Sequence, residues 1–151
     1  MLIDDSTFTL LKQSIKNNKW LELPAFGNSM FPFIKQGDHC RFVPLDCSSL
    51  AKGDILLYLR EEGQLIAHRF IENQWKNGQK MFLLKGDTNL GFDQPIAEER
   101  ILGKLIVVQK KRVTITPDHF FAAAWGKMIL SFPIISEILR KYLNSRFNLQ
   151  Y

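Results

Sequence analysis

The sequence predicts a mainly β fold, a β-barrel or coiled sheet core with an N-terminal helix and a C-terminal helical tail. Three observations carry that reading. Short apolar or alternating runs recur from Trp20 to Gln109, at 39–43, 55–60, 65–72, 80–85 and 101–109. Turn-forming pairs separate them: Gly37-Asp38, Gly53-Asp54, Glu62-Gly63, Asn77-Gly78 and Gly86-Asp87. Regularly spaced strands with turn signals between them are the mark of an all-β sheet or barrel. Both ends of the chain show instead a repeat of three or four residues, the period of a helix face.

Each element follows from local chemistry. Residues 6–19 mix Leu10, Leu11 and Ile15 with Lys12, Lys16 and Lys19 at helical spacing. Ser6 is placed to cap that helix, because a Ser oxygen accepts from the orphan N–H groups of a first turn. Pro24 and Gly27 then break the chain. Within the β region, Asn77-Gly78 is the clearest hairpin signal, since both residues tolerate positive φ. After Thr116-Pro117-Asp118, the residues Phe121, Trp125, Met128, Phe132, Ile135, Leu139 and Tyr142 form an apolar helical stripe. Pro133 lacks an N–H and clashes with the preceding turn, so it kinks or divides this segment. The expected organisation is a β domain with its N-terminal helix over 1–118 and a basic amphipathic tail over 119–151.

Composition narrows the function. A chain of 151 residues, 46% hydrophobic and 23% charged, suits one soluble domain with a real core. Four basic residues of the tail, Lys127, Arg140, Lys141 and Arg146, face only Glu137, so the tail carries +3 of the net +5. A basic, apolar tail suits an anionic membrane surface or an acidic partner. Nucleic acid is not expected, because no arginine-rich stripe or helix-turn-helix pattern is present. Cys40 and Cys47 are not a CxxC pair and are read as reduced thiols. His39, His68 and His119 lack metal-ligand spacing, so neither a metal nor a cofactor is expected. The acidic start Met1-Leu2-Ile3-Asp4-Asp5 is not a signal peptide. No uncharged apolar run approaches the ~18–20 residues that span a bilayer. The expected location is cytoplasmic, or peripheral at the inner membrane face.

Chemistry concentrates in three segments. The first is Gly27-Asn28-Ser29-Met30-Phe31-Pro32, where Ser29 sits on a constrained turn. A nucleophilic Ser needs such a turn, with N–H groups facing a developing oxyanion. Backbone amides and the Asn28 amide are the donors available there. The second is His68, inside a predicted strand, whose neutral imidazole can take the Ser proton and return it to a leaving amine. The third is Lys85-Gly86-Asp87-Thr88-Asn89, with Asp93 beyond it. One carboxylate can hold the second imidazole nitrogen while the other braces the loop. A glycosidase pair is the other use of two carboxylates, but no sugar-stacking aromatic cluster accompanies them. Read singly, these residues are also compatible with a turn Ser, a core His and a polar turn.

Taken as an ordered set, with Gly53-Asp54-Ile55, His68-Arg69 and Gly103-Lys104 added, these motifs resemble the type I signal peptidases. Those are serine peptidases within the LexA-like group, and the likeness covers roughly residues 25–108. It implies a LexA- and signal-peptidase-like β fold and no cofactor. His at 68, where other members carry Lys, resembles the endoplasmic-reticulum subfamily, as does an Asp six residues after Asp87. The resemblance therefore implies Ser29 as nucleophile, His68 as general base, Asp93 as orienting acid and Asp87 as a structural acid near the site. It places Met30 near the substrate pocket and makes a peptide or precursor protein the partner, with small residues beside the cut. Two departures stand out: Gly27 occupies a position where many members have an oxyanion-binding Ser, and the segment before Ser29 reads as a soluble helix rather than a membrane anchor. The alternative expectation is thus a peptidase-like module that binds a leader segment without efficient hydrolysis. A self-cleaving LexA-like regulator is disfavoured, because no DNA-binding segment precedes the β region and His replaces Lys.

Overall fold

Alternation in the middle of the chain becomes one antiparallel sheet. The computed structural model describes residues 1–147. The strands are β1 (Leu21–Pro24), β2 (His39–Val43), β3 (Ile55–Leu59), β4 (Leu65–Lys76), β5 (Gln79–Lys85), β6 (Ile96–Ala97), β7 (Ile101–Gln109) and β8 (Thr114–Ile115). They line up as β1-β2-β7-β3-β4-β5-β6, with β8 pairing off β7, in a mainly β half-barrel. Helix α1 (Asp5–Asn18) precedes the sheet; α2 (Phe120–Ser131) and α3 (Pro133–Phe147) follow it.

Strand β3 is central and buried on both faces, which its unbroken Ile-Leu-Leu-Tyr-Leu run requires. Ile55, Leu57 and Leu59 point into a core shared with Phe42, Leu105 and α1 residues Phe8 and Ile15. Leu56 and Tyr58 point into a second core with Phe70, Phe82 and Leu84. The β4–β5 hairpin turns at Asn77 (φ 50°) and Gly78 (φ 75°), the left-handed pair that a two-residue hairpin needs.

Several expectations need correction. Asp4, not Ser6, caps α1: its carboxylate accepts from the Thr7 N–H at 2.8 Å, and the Ser6 hydroxyl donates to Asp4. Pro24 ends an edge strand rather than a loop, a place where its missing N–H is tolerated. Strand β4 runs on to Lys76 through the mostly exposed Asn73-Gln74-Trp75-Lys76, beyond the core that the apolar pattern reported. Strands β6 and β8 are two residues each, too short to show a period.

The tail divides at Pro133, and α2 and α3 meet at a bend of 99°. The apolar stripe is split: Trp125 packs against the core and Tyr142 stacks on Phe31, whereas Phe121, Met128 and Phe132 are exposed. Ala122, Gly126 and Ile129 are buried, whereas Phe120, Phe121, Met128 and Phe132 are exposed. Small side chains are what let α2 approach the sheet: a Cβ on Gly126 would lie 2.9 Å from the Arg69 guanidinium. Among the described residues no single helix is long and apolar enough to cross a membrane.

Candidate active site

Ser29 lies in the turn between β1 and β2. The Phe31 N–H donates to the Asn28 carbonyl at 3.1 Å, and the Ile34 N–H donates to the Met30 carbonyl at 2.9 Å. The segment after β5 holds the turn from the other side. The Thr88 N–H donates to the Ser29 carbonyl at 3.0 Å, and the Thr88 hydroxyl reaches the Ser29 and Asn28 carbonyls at 3.3 and 3.4 Å. Among the described residues, the N–H groups of Ser29 and Met30 donate to no protein acceptor.

Strand alternation places the histidine. His68 sits opposite Leu56 of β3, so its ring projects on the second-core side, beside Tyr58. The imidazole Nε2 lies 2.9 Å from the Ser29 hydroxyl oxygen, and Nδ1 lies 2.5 Å from Asp93 Oδ2. A carboxylate only accepts, so the shared proton belongs on Nδ1 and leaves Nε2 to accept from the Ser29 hydroxyl. Gly86 makes room for this ring: a Cβ there would stand 2.8 Å from His68 Nε2.

Asp93 is tied to the sheet by its own N–H, which donates to the Leu84 carbonyl at 2.8 Å. Its side chain is almost wholly buried. Burial raises a carboxyl group, but donors from His68, Tyr58 and Arg60 outweigh it and hold Asp93 below the usual carboxylate range. The Tyr58 hydroxyl donates to Oδ2 at 2.8 Å and Arg60 donates to Oδ1 at 2.6 Å. Burial, with Asp93 alongside, pushes the Tyr58 phenol well up, so it stays a donor.

Asp87 is on the opposite face and does not reach His68. It accepts from Arg69 at 2.6 and 3.0 Å, in a two-pronged contact, and from the indole N–H of Trp125 at 3.1 Å. Met30 is buried and, with Leu23, Phe26, Leu57 and Ala67, lines an apolar cavity of about 70 Å³ that opens beside Ser29. Asn28 enters the site through its carbonyl; no side-chain contact among the described residues makes its amide an oxyanion donor. Cys40, also in the cavity wall, is free, and burial pushes its thiol up to about 12. Cys47 is free as well.

Sequence reasoning missed Tyr58, Arg60, Thr88 and Trp125. The first had a signal: a Tyr inside an otherwise aliphatic buried strand needs a partner for its hydroxyl. Arg60 and Trp125 had none, because their partners are 33 and 38 residues away. The chain matches no protein-family model and no curated protein.

Proposed function

We propose that this protein is a serine endopeptidase, resembling the type I signal peptidases, that cuts an extended peptide or leader segment. The observation that carries the reading is the continuous relay from Asp93 through His68 to Ser29, with links of 2.5 and 2.9 Å. Catalysis by such a relay depends on this geometry rather than on chain order.

In the proposed reaction, Ser29 Oγ attacks the peptide carbonyl while His68 Nε2 takes the hydroxyl proton. The Ser29 and Met30 amides stabilise the tetrahedral oxyanion. Collapse breaks the C–N bond, His68 returns the proton to the leaving amine, and an acyl-Ser29 ester remains. Water, deprotonated by His68, then releases the acid and restores Ser29. Asp93 stays ionised throughout and stabilises the imidazolium. The cavity supports a small aliphatic side chain next to the cut, since its ~70 Å³ is about half of the 150 Å³ that admits benzene. Its walls come from the end of β1 and the start of β4, which fits a peptide laid along strand edges. Exposed Phe120, Phe121, Phe132 and Ile138 beside Lys127 and Lys141 support contact with a membrane surface as well.

A fluorophosphonate probe, which phosphonylates activated serines with loss of fluoride, tests the reading. Wild-type protein labels, and Ser29→Ala neither labels nor cuts peptide while its circular dichroism and melting temperature are unchanged. Cleavage retained by purified Ser29→Ala would rule the mechanism out. The second reading, a leader-binding module with weak turnover, is favoured by one feature: Gly27 offers no hydroxyl to the oxyanion. Such a module binds peptide without labelling.

A further inference from the structure

Asp93 receives more than a triad acid requires. Its Oδ2 accepts from both His68 Nδ1 and the Tyr58 hydroxyl, whereas Oδ1 accepts from the Arg60 guanidinium at 2.6 Å. Arg60 follows the last residue of β3 and is held in place along its backbone. Its N–H donates to the Gln64 carbonyl at 2.9 Å, and its carbonyl accepts from Arg100 at 2.8 Å. The guanidinium is part-exposed, but its partner is buried. The other charged groups nearby are committed elsewhere. Lys85, on β5, points to the Ser136 hydroxyl of α3 at 3.1 Å and feels Asp93 only through space. Asp87 is bound to Arg69. Tyr58 contributes a neutral donor. Arg60 is thus the one cation among the described residues in hydrogen-bond contact with Asp93, His68 apart.

That contact has a consequence for proton transfer. A bare carboxylate beside imidazole favours the imidazolium, because opposite charges a few ångströms apart stabilise each other. A base already protonated at the working pH cannot accept from Ser29. A guanidinium on the far oxygen offsets part of the carboxylate charge while leaving the near oxygen to orient the ring. We propose that Arg60 is a positioning residue that divides the Asp93 carboxylate and so sets the pH at which His68 becomes free to take the Ser29 proton. This deepens the peptidase reading and rests on it.

Two variants at this site and one control separate charge from shape. Arg60→Gln keeps a donor and drops the charge; Arg60→Lys keeps the charge and loses the fork; Tyr58→Phe removes a neutral donor. The rate of fluorophosphonate labelling is followed from pH 4 to 9 (on the order of the range over which imidazole titrates), and the His68 ring is followed by NMR over the same range. Arg60→Gln is expected to move the acid limb of the profile, and the His68 ring titration with it, to higher pH. Arg60→Lys leaves both near the wild-type position, and Tyr58→Phe moves them less than Arg60→Gln does. An unmoved profile in Arg60→Gln, or equal movement in Gln and Lys variants, overturns the proposal and leaves Arg60 a structural prop. If wild-type Ser29 does not label at all, the peptidase reading fails, and the NMR titration alone still decides what Arg60 does to the imidazole.

Discussion

His68 and Arg69 are adjacent in β4, and each binds a buried aspartate from the segment after β5. There the likeness ends. His68 and Asp93 lie on the face that reaches Ser29, and the pair terminates at a hydroxyl. Arg69 and Asp87 lie on the face covered by α2, and that pair terminates at the Trp125 indole and the Gly53 carbonyl. One cluster ends on a group that can react and the other on groups that cannot. The difference teaches that a buried acid–base pair is read by what stands at its end, not by its burial or its residue types. It also shows how a single strand serves both purposes, since consecutive side chains alternate between faces.

The comparison can be broken at the structural pair first. Asp87→Ala leaves the Arg69 guanidinium buried without its carboxylate. Losing one partner of a buried pair costs about 3–5 kcal/mol, so urea unfolding should show a loss of that size, with α2 released from the sheet. Unchanged stability would mean that the Arg69–Asp87 pair is dispensable to the fold.

A smaller effect sharpens the other side. Gly86→Ala puts a methyl group 2.8 Å from His68 Nε2 and from the Asn89 amide. The amide is the end of a flexible side chain and can turn aside; the imidazole is tethered to Asp93 and must tilt. A misplacement of that order costs about 10²-fold in rate, so labelling of Ser29 should slow by about that factor while the melting temperature changes little. Unaltered labelling would show that the ring has slack.

The smallest effect is at the seam between the structural pair and the tail. Trp125→Phe trims the indole to a single ring and removes one hydrogen bond to the Asp87 carboxylate, worth about 1.5 kcal/mol at the low end for a charged acceptor. Stability should fall by that amount and labelling should not change. A large loss of labelling would mean that the two faces of β4 are coupled.

Much of this molecule is legible locally. The 39–43 and 101–109 runs coincide with β2 and β7, and Asn77-Gly78 turns a hairpin, because strand alternation and positive φ are set by neighbouring residues. The break at Pro133 is equally local. Around the site, Ser29, His68, Asp87 and Asp93 stand out as residue types, but the residues alone left open which acid serves which base. That choice depends on the face each β4 side chain takes and on how the chain turns after Lys85.

By itself, then, the sequence determined a β core between helical ends and a small set of polar residues able to do chemistry. Only the tertiary structure decided that Asp93 meets His68 while Asp87 meets Arg69, that Arg60 and Tyr58 share the first of these acids, and that α2 packs through Ala122, Gly126 and Ile129 while Phe120, Phe121 and Met128 stay exposed. Backbone periodicity is a property of a few consecutive residues. Contacts between side chains 18 or more residues apart are fixed by strand register and close packing, which no local pattern encodes.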